Sequence, residues 1–590
     1  MAPARRRRVP VGERPPSVDE PTVSLESEAH RYERRLDRDA GNGRWDVLRG
    51  KLFHLLPSFD DAEPFADSFM LKLLSSVRIA SAFYTVINDC DETYNYWEAL
   101  HLMVYGRGFQ TWEYSPVFAI RSWFYISLHY FPTLFLSFLL ADSKVAVFYT
   151  LRVLLGFFHG AAEFMLTKAI AARLGNTISK FYFIITLTSV GTFYAGSAFL
   201  PSTFAMIMNM FALAFWLQER WFWSILSVAT GALVGWPFAA VLGLPIVLEM
   251  VVLRRHQLFW TFVKYAAVAG SLVLSALYTV DSHYYGKHVI APLNIVLYNV
   301  ISGNGPELYG VEPFTYYLKN LVLNWSIALP FALVALPLAL YVYIPSSIRP
   351  VVDEGKTKEI VERPTMTLAY WYRFMPIVLI GLAAFVWAFI FFSQPHKEER
   401  FLTPIYPHIA VLFAVALYAL RTIIKDKFYV IPLSILLVFA VISTMRGAAV
   451  FRNYNGVVET HKQFYDHFVV FSEKKRDFTR FSDPIRVCTG KEWHRFPSSF
   501  FLPENSIDKH GNKRKVELEF IKSAFKGILP KHYPIAKRLS DVTRAIPDAM
   551  NDKNEEEPER YVPVETCDYI LDFDDGTSGG PDEPNYAQRC

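Results

Sequence analysis

Long apolar segments alternate with short polar segments over most of the chain. An apolar segment of about 20 residues has the length of a helix that crosses a bilayer. Such segments lie at 69–87, 144–168, 178–195, 200–217, 221–236, 237–253, 260–280, 318–345, 371–393, 404–421 and 428–446. The pattern predicts a polytopic α-helical membrane protein with about 11 transmembrane helices.

One further apolar segment departs from this pattern. Residues 120–140 carry Arg121, His129 and Pro132. Charged residues are disfavoured within a membrane-spanning helix, and a proline bends or interrupts a helix. We therefore predict an interfacial or re-entrant helix here.

Basic residues fall on one side of the predicted helices. They include Arg5–Arg8, Arg254 with Arg255, and several residues within 349–363. Basic loops face the cytosol, so the N-terminus is predicted to be cytosolic. The opposite, lumenal side then receives the loops 88–118, 281–317 and 394–403.

The two ends of the chain are polar, so the chain divides into three regions. Residues 1–68 are basic and carry an amphipathic segment at 45–59, which predicts a cytosolic tail able to contact a membrane surface. Residues 69–446 form the predicted transmembrane module. Residues 447–590 have the size of a domain and combine period-2 stretches with turn residues, which predicts a small mixed α/β C-terminal lumenal domain.

Two cysteines, Cys488 and Cys567, lie in this C-terminal region. In an oxidising lumen they are a candidate disulfide, and two free thiols are the alternative. The four cysteines of the chain permit several pairings, and their spacing does not choose among them.

Composition excludes several classes of protein. The 590 residues include 60 Lys and Arg against 56 Asp and Glu, a formal net charge of +4, which gives no basic surface for nucleic acid. Hydrophobic residues reach 52% and aromatic residues 16%, which excludes a disordered chain. Four cysteines are too few for a disulfide scaffold of this length.

Carboxylates are crowded directly after the first predicted helix, at Asp89, Asp91 and Glu92. If a helix begins near Asp91, then Asp91, Asn95 and Glu98 share one face. Crowded carboxylates raise one another's pKa, which suits a general base. The alternative is a capped interfacial helix with solvated acids.

A second charged cluster lies between two apolar segments. It consists of the consecutive residues His396, Lys397, Glu398, Glu399 and Arg400. The three basic side chains suit a phosphate group, with arginine offering a planar fork and lysine a point charge. The alternative is a charged loop that extends to the interface and is neutralised by its own glutamates.

Aromatic and polar residues gather in the predicted lumenal loops. They include Trp97, Trp112, Glu113, Tyr114 and Tyr285. This composition suits the binding of sugar rings and hydroxyls. Interfacial anchoring and loop folding explain the same residues equally well.

These segments together resemble those of a known family, the endoplasmic reticulum mannosyltransferases that use dolichyl-phosphate mannose and adopt the GT-C fold. The resemblance is closest to the α-1,2 enzymes of asparagine-linked glycan assembly. Ala99 stands where that family has a proline, which leaves the carboxylates unchanged. The similar segments are DCDETYNYWE at 89–98, GFQTWEYSP at 108–116, AFLPS at 198–202, DSHYYGK at 281–287, LNIVLYN at 293–299, HKEERFLTPIYP at 396–407, CTGKEWHRFPSSFFLP at 488–503 and RYVPVETCDYILD at 560–572.

The resemblance implies an enzyme that transfers mannose with inversion from dolichyl-phosphate mannose to a dolichyl-diphosphate-linked oligosaccharide, in α-1,2 linkage. The expected location is the lumenal side of the endoplasmic reticulum membrane, with the lipid bilayer but no nucleic acid as a partner. The alternatives are a glycolipid-anchor (GPI) mannosyltransferase of the same family and a lipid or sugar transporter.

The resemblance also assigns roles. Asp91 is the expected base, with Glu92 and Asp89 as its neighbours. No cofactor is expected, because basic residues can stabilise a single leaving phosphate; a divalent ion on the three acids ranks lower. The expected donor-phosphate residues are His396, Lys397 and Arg400, braced by Glu398 or Glu399. The expected acceptor and sugar residues are Asn95, Trp97, Glu98, Trp112, Glu113, Tyr114 and Tyr285.

Overall fold

The computed structural model describes most of the chain, and all statements about structure below refer to the described part. The N-terminal tail predicted at 1–68, including its amphipathic segment 45–59, lies outside it apart from its last six residues. The described residues are 63–140, 143–301, 306–343, 368–424, 430–469, 483–507, 513–573 and 583–586.

The fold is mainly helical. The longer α-helices are Asp67–Tyr84, Trp123–Leu139, Lys144–Arg173, Asn176–Thr188, Pro201–Leu217, Trp221–Thr230, Arg255–Tyr285, Phe314–Trp325, Leu368–Ser393, Tyr406–Ile423, Val430–Tyr454 and Gly456–Val469. Shorter α-helices are Glu98–Tyr105, Val190–Ala195, Leu244–Val247, Ala291–Val296, Ala328–Leu333, Ala335–Tyr343 and Leu539–Arg544. The π-helices are Glu92–Trp97, Gly231–Gly235, Leu248–Leu253 and Leu297–Ile301.

Several of these helices have the length and composition of membrane spans. Four shorter apolar helices accompany them, at Pro201–Leu217, Trp221–Gly235, Pro237–Leu253 and Ala291–Val300. The total of about eleven crossings stays a prediction. Within the described residues, five helices are long and apolar enough to cross a membrane: Lys144–Arg173, Arg255–Tyr285, Phe374–Ser393, Glu399–Ile423 and Val430–Tyr454.

The helix Tyr406–Ile423 lies at the centre of the bundle. In the most apolar 18-residue stretch of Glu399–Ile423, 94% of the residues are buried inside the protein. In the corresponding stretch of Arg255–Tyr285, 11% of the residues are buried. Ala410 and Ala414 are fully buried, and such small side chains let neighbouring helices approach closely. The charged segment 396–400 is therefore anchored by the most buried helix of the bundle, which follows it in the chain.

A buried ion pair explains how the first helix accommodates a charge. Arg78 in Asp67–Tyr84 is fully buried and pairs in a bidentate manner with Glu163, with N–O distances of 2.9 and 3.0 Å. The guanidinium also donates to the carbonyl oxygens of Thr186 and Thr192. Because every charge is paired, the arginine fits inside an apolar helix bundle.

The C-terminal region contains a four-stranded sheet. Strand β2 (Ile485–Thr489) pairs in parallel with β4 (Lys513–Phe520) and β6 (Tyr569–Ile570), and β3 (Asn505–Ile507) adds to β4 in antiparallel fashion. Alternate residues of β4 are buried, as the period-2 pattern of a half-buried strand requires. A disulfide joins Cys488 in β2 to Cys567 just before β6.

This sheet region is attached to the loop that follows the first helix. Strand β1 (Phe109–Gln110) pairs in antiparallel fashion with β5 (Lys531–His532). The backbone N–H of Tyr533 donates to the carbonyl of Gly108 at 3.0 Å. The C-terminal region and the acidic loop therefore form one packed unit.

Candidate active site

The site begins where the chain turns after the first helix. The Asp89 carboxylate accepts a hydrogen bond at 2.9 Å from the backbone N–H of Asp91, as aspartate does in turns that precede helices. The π-helix Glu92–Trp97 and the α-helix Glu98–Tyr105 follow. This turn holds two acidic side chains next to each other at the mouth of a buried helix.

The π-helix changes which side chains share a face. An α-helix would place Asp91, Asn95 and Glu98 together, as their spacing predicts, but a π-helical turn has a different period. Asp91 and Asn95 line the cavity described below. The Glu98 carboxylate is instead fully buried and accepts hydrogen bonds from N and Oγ of Ser499 at 2.7 and 2.8 Å. The prediction of a single face is therefore wrong for Glu98.

Arg400 joins the second charged cluster to this turn. Its Nη2 lies 2.6 Å from Oδ2 of Asp91, and its Nε lies 3.1 Å from Oδ2 of Asp89 and 2.5 Å from Oε2 of Glu398. Glu399 turns away and accepts a hydrogen bond from the Asn324 amide at 2.7 Å. Two clusters 309 residues apart in sequence thus meet at one guanidinium group.

A second guanidinium group reaches the same carboxylate. Nη2 of Arg121 lies 3.4 Å from Oδ2 of Asp91 and 2.6 Å from Oε1 of Glu113. Nη1 of Arg121 donates to the Tyr96 hydroxyl at 2.7 Å, and the Asn95 amide donates to Glu113. Sequence reasoning missed Arg121 because it read the residue as a charge inside an apolar segment. Its position at the second residue of the predicted segment 120–140, where a charge can still leave the apolar part, was the available signal.

His396 and Lys397 have different surroundings from Arg400. His396 bonds to Glu398 at 2.8 Å and to the Gly310 carbonyl at 2.9 Å. Burial acts to lower the pKa of His396, but these two acceptors outweigh it and raise that pKa. The Lys397 ammonium is buried and donates to the Glu312 carbonyl at 2.9 Å. Of the three predicted phosphate-binding cations, only Arg400 contacts the acidic turn.

These groups line a cavity of about 880 Å³, the size of a pocket for a substantial organic ligand. One part of its lining is apolar and comes from helical segments, including Trp236, Phe391 and Phe401. The predicted site residues in the lining are Asp89, Asp91, Asn95, Trp112, Glu113, His396, Lys397 and Arg400.

Besides Glu98, four predicted residues lie outside this lining and support it from behind. The Glu92 carboxylate accepts hydrogen bonds from Nε1 of Trp97 at 3.1 Å and from the backbone N–H of Phe199 at 2.9 Å. The Tyr114 hydroxyl donates to the Asn95 carbonyl, and the Tyr285 hydroxyl donates to the Arg121 carbonyl. The structure thus shows positioning contacts for Glu92, Trp97, Tyr114 and Tyr285, as for Glu98. The sequence predicted Glu92 as a neighbour of the base and the other four as acceptor or sugar residues, and these roles stay predictions.

The two aspartates of the turn differ in protonation. Burial, reinforced by the charges of Glu398 and Asp91, outweighs Arg400 and raises the pKa of Asp89 to about 7. Burial acts on Asp91 as well, but Arg400 and Arg121 outweigh it and hold the pKa of Asp91 below its usual range. At neutral pH, Asp91 is therefore ionised, whereas Asp89 holds a proton more readily than an ordinary aspartate.

The acidic turn also bears on metal binding. Side-chain ligand atoms of Asp89, Cys90 and Asp91 lie within 4.8 Å of one another. Glu92, the third acid that the sequence offered to a divalent ion, points elsewhere, and Arg400 already supplies a positive charge to both aspartates. The set of three carboxylates considered for a cation is therefore not assembled.

Comparison with known proteins identifies the family. The Alg9-like mannosyltransferase family matches residues 69–503. The chain belongs to this family. It is 42% identical to the α-1,2-mannosyltransferase algn-9 of Caenorhabditis elegans, over 89% of this chain and 83% of that protein. It is 39% identical to the α-1,2-mannosyltransferase ALG9 of Homo sapiens, over 88% and 81% of the two chains. The chain is thus a glycosyltransferase.

A solved structure shows the same architecture. It is ArnT from Cupriavidus metallidurans bound to undecaprenyl phosphate. The superposition includes 84% of this chain and 89% of the ArnT chain, with a TM-score of 0.51 and 12% sequence identity. At this identity the similarity concerns the fold alone, which is the GT-C architecture of helical membrane transferases. The prediction of the fold class is confirmed at that level.

Proposed function

We propose that the protein is an inverting α-1,2-mannosyltransferase of N-glycan precursor assembly. It moves mannose from dolichyl-phosphate mannose to a dolichyl-diphosphate-linked oligosaccharide at the lumenal face of the endoplasmic reticulum membrane. The observation that carries the proposal is the 2.6 Å contact between Arg400 and Asp91 inside the cavity. This reaction needs a cation for the leaving phosphate beside a carboxylate for the attacking hydroxyl.

Arg400 holds the donor phosphate in this proposal. The guanidinium lies over the Phe401 ring, 5.6 Å from its centroid, and the rings of Phe401 and Trp236 lie 5.0 Å apart. A planar guanidinium group binds phosphate oxygens through paired N–H groups. The incoming phosphate displaces Asp89 and Glu398 from Arg400, and the neighbouring apolar rings accept the first part of the lipid.

Asp91 acts as the general base. The acceptor hydroxyl attacks C1 of mannose on the face opposite the phosphate, the C1–O bond to phosphate breaks, and the hydroxyl proton passes to Asp91. Arg400 stabilises the negative charge on the departing phosphate. When the phosphate engages Arg400, Asp91 shares the charge of that guanidinium with the phosphate, so the pKa of Asp91 rises and it becomes a better proton acceptor. Arg121 keeps the carboxylate in place.

Two features support a lumenal site that works without a metal ion. The disulfide Cys488–Cys567 is typical of an oxidising compartment, and its region packs against the acidic turn. Arg400 supplies at the phosphate the positive charge that a metal ion provides in other transferases.

The direct test is mannose transfer by the purified full-length protein. With synthetic polyprenyl-phosphate mannose and a lipid-diphosphate oligosaccharide, we expect an added mannose that an α-1,2-specific mannosidase removes, in the presence or absence of EDTA. Transfer only to a glycolipid-anchor precursor would assign the acceptor to the other branch of the family. Movement of the donor across a vesicle membrane without transfer would replace the enzyme by a transporter.

A further inference from the structure

One wall of the cavity is not used by the reaction described above. It is formed by residues of the C-terminal region, and they include both aromatic and polar side chains. Trp493 is half-buried, its ring centroid lies 4.6 Å from that of Phe525, and the adjacent His494 is exposed. The residues of this C-terminal wall are Trp493, His494, Phe525, Ile528, Leu529, Pro530 and Asn554.

The C-terminal wall is fixed by direct hydrogen bonds to the π-helix Glu92–Trp97. The Tyr94 hydroxyl donates to the Trp493 carbonyl at 2.8 Å. The Thr93 hydroxyl donates to the Phe496 carbonyl at 2.9 Å. Thr93 and Tyr94 belong to the π-helix that begins one residue after Asp91. The wall therefore has a defined position relative to the proposed base.

The same region also orients a second group of rings in the cavity. The ring of Trp112 stacks on that of Tyr309 with an interplanar angle of 8° and a centroid distance of 6.1 Å, and it lies 5.1 Å from the ring of Tyr298. The hydroxyls of Tyr298 and Tyr309 both donate to the backbone carbonyl of Asp552 at 3.3 Å. Trp112 directly precedes Glu113, the partner of Arg121.

The chemistry of these surfaces matches a carbohydrate. Aromatic faces pack against the C–H face of a hexose ring, while hydroxyl, imidazole and amide groups at their edges bond to its hydroxyls. An apolar surface suited to the lipid of either substrate lies elsewhere in the cavity, at the rings of Trp236 and Phe391. The donor carries a single hexose, so a further aromatic and polar surface serves the acceptor.

We propose that the C-terminal wall is part of the acceptor site. Trp493 and His494, with Trp112 and Tyr309, contact hexose rings of the acceptor that precede the ring receiving mannose. This inference rests on the proposed function, because it takes an oligosaccharide as the acceptor. It assigns the C-terminal region a role in choosing the acceptor and none in the chemical step.

Steady-state kinetics with two acceptors test the inference. One synthetic lipid-diphosphate acceptor carries the complete oligosaccharide, and the other carries only the terminal two mannoses. For Trp493→Ala we expect KM for the long acceptor to rise about tenfold, as for loss of one aromatic contact. KM for the short acceptor, KM for the donor and kcat should stay within about twofold of the wild-type values. Trp493→Phe should restore most of the affinity.

Two further variants keep the outcome interpretable. His494→Ala changes an exposed side chain, so folding is preserved, and it should raise KM for the long acceptor about threefold. Trp260→Ala removes an indole that is 77% exposed on Arg255–Tyr285, outside the cavity, and should change neither KM.

Unchanged KM for the long acceptor in both cavity variants, or an equal loss with both acceptors, would overturn the inference. Failure of the wild-type protein to transfer mannose to either acceptor would instead refute the proposed function.

Discussion

Asp91 lies between two guanidinium groups that have different tasks in the proposed reaction. Arg400 is shared with the donor phosphate, whereas Arg121 is tied to Glu113 and Tyr96 and stays with the carboxylate. The charge environment of the base therefore changes during the reaction without movement of the base itself. This division gives separate predictions for the carboxylate and for Arg121.

The first prediction concerns the carboxylate. Asp91→Asn keeps the shape of the side chain but cannot accept a proton, so kcat should fall by about 10²- to 10⁴-fold. The thermal unfolding midpoint of the purified variant should stay near that of the wild type. Asp67→Asn alters an exposed acid at the start of the first helix and should leave kcat unchanged. Near-wild-type turnover by Asp91→Asn would assign the base to another group.

The second prediction concerns the pH dependence set by Arg121. Arg121 lowers the pKa of Asp91, so Arg121→Gln should raise that pKa. The base works in its ionised form, which then appears only at higher pH. The acidic limb of the kcat profile should therefore move to higher pH.

Arg121→Lys is the matched control for this shift. It keeps a positive charge near Asp91 but loses the planar fork that binds Glu113 and the Tyr96 hydroxyl together. We expect a lower kcat with a smaller shift of the acidic limb. An acidic limb that does not move in Arg121→Gln would show that Asp91 does not control it.

At the level of helices and strands, apolar content identified the long helices, and the backbone decided where they end. The predicted segment 178–195 is divided at Ser189, whose side chain caps a new helix. The segment 318–345 is interrupted at Ser326, where φ is 40°. The π-helix Glu92–Trp97 leaves no periodic signal, because a single widened turn alters a pattern too briefly to be read.

The third prediction concerns the approach of strand β1 to the helix Glu98–Tyr105. A Cβ at Gly108 would lie 2.5 Å from the backbone oxygen of Glu98, so the loop must shift. That shift disturbs the pairing of Phe109 with His532, and with it the junction between the acidic loop and the C-terminal region. Gly108→Ala should therefore destabilise the protein by about 1–3 kcal/mol and lower kcat. Thermal unfolding and turnover measure the two effects.

Gly270→Ala supplies the opposite expectation in the same assay. Gly270 lies inside the helix Arg255–Tyr285, and a Cβ there meets no atom within 4 Å. Alanine should therefore stabilise the helix by about 0.5–1 kcal/mol and leave activity intact. Equal behaviour of the two alanine variants would contradict the role given to the close contact at Gly108.

At the level of the whole molecule, the sequence identified the charged clusters but not all of their partners. Asp91 and Arg400 could be predicted as site residues because both lie in short polar loops between apolar segments. Arg121 and Trp493 could not be predicted in this way, since their roles depend on the packing of elements far apart in the chain. The burial of Glu92 and Glu98 could not be predicted for the same reason. An acid that faces solvent and an acid that is bonded to backbone N–H groups look the same in a sequence.

The last prediction tests whether the C-terminal region acts as a unit on the acceptor. The disulfide closes a loop between cysteines 79 residues apart and ties β6 to the buried strand β2. Replacing Cys488 and Cys567 together with serine should cost about 4 kcal/mol, because the unfolded region gains freedom. Trp493 follows β2 closely, so the wall that carries it should loosen first.

The kinetic result expected of this double variant is selective. KM for the long acceptor should rise, whereas KM for the donor should stay unchanged. Arg400 and Trp236, which form the proposed donor site, lie in the helical part of the protein. Treating the wild type with a reductant should reproduce the effect and leave the double variant unchanged. Equal weakening of both substrates would mean that the disulfide supports the whole cavity, and the separation of acceptor wall from donor site would fail.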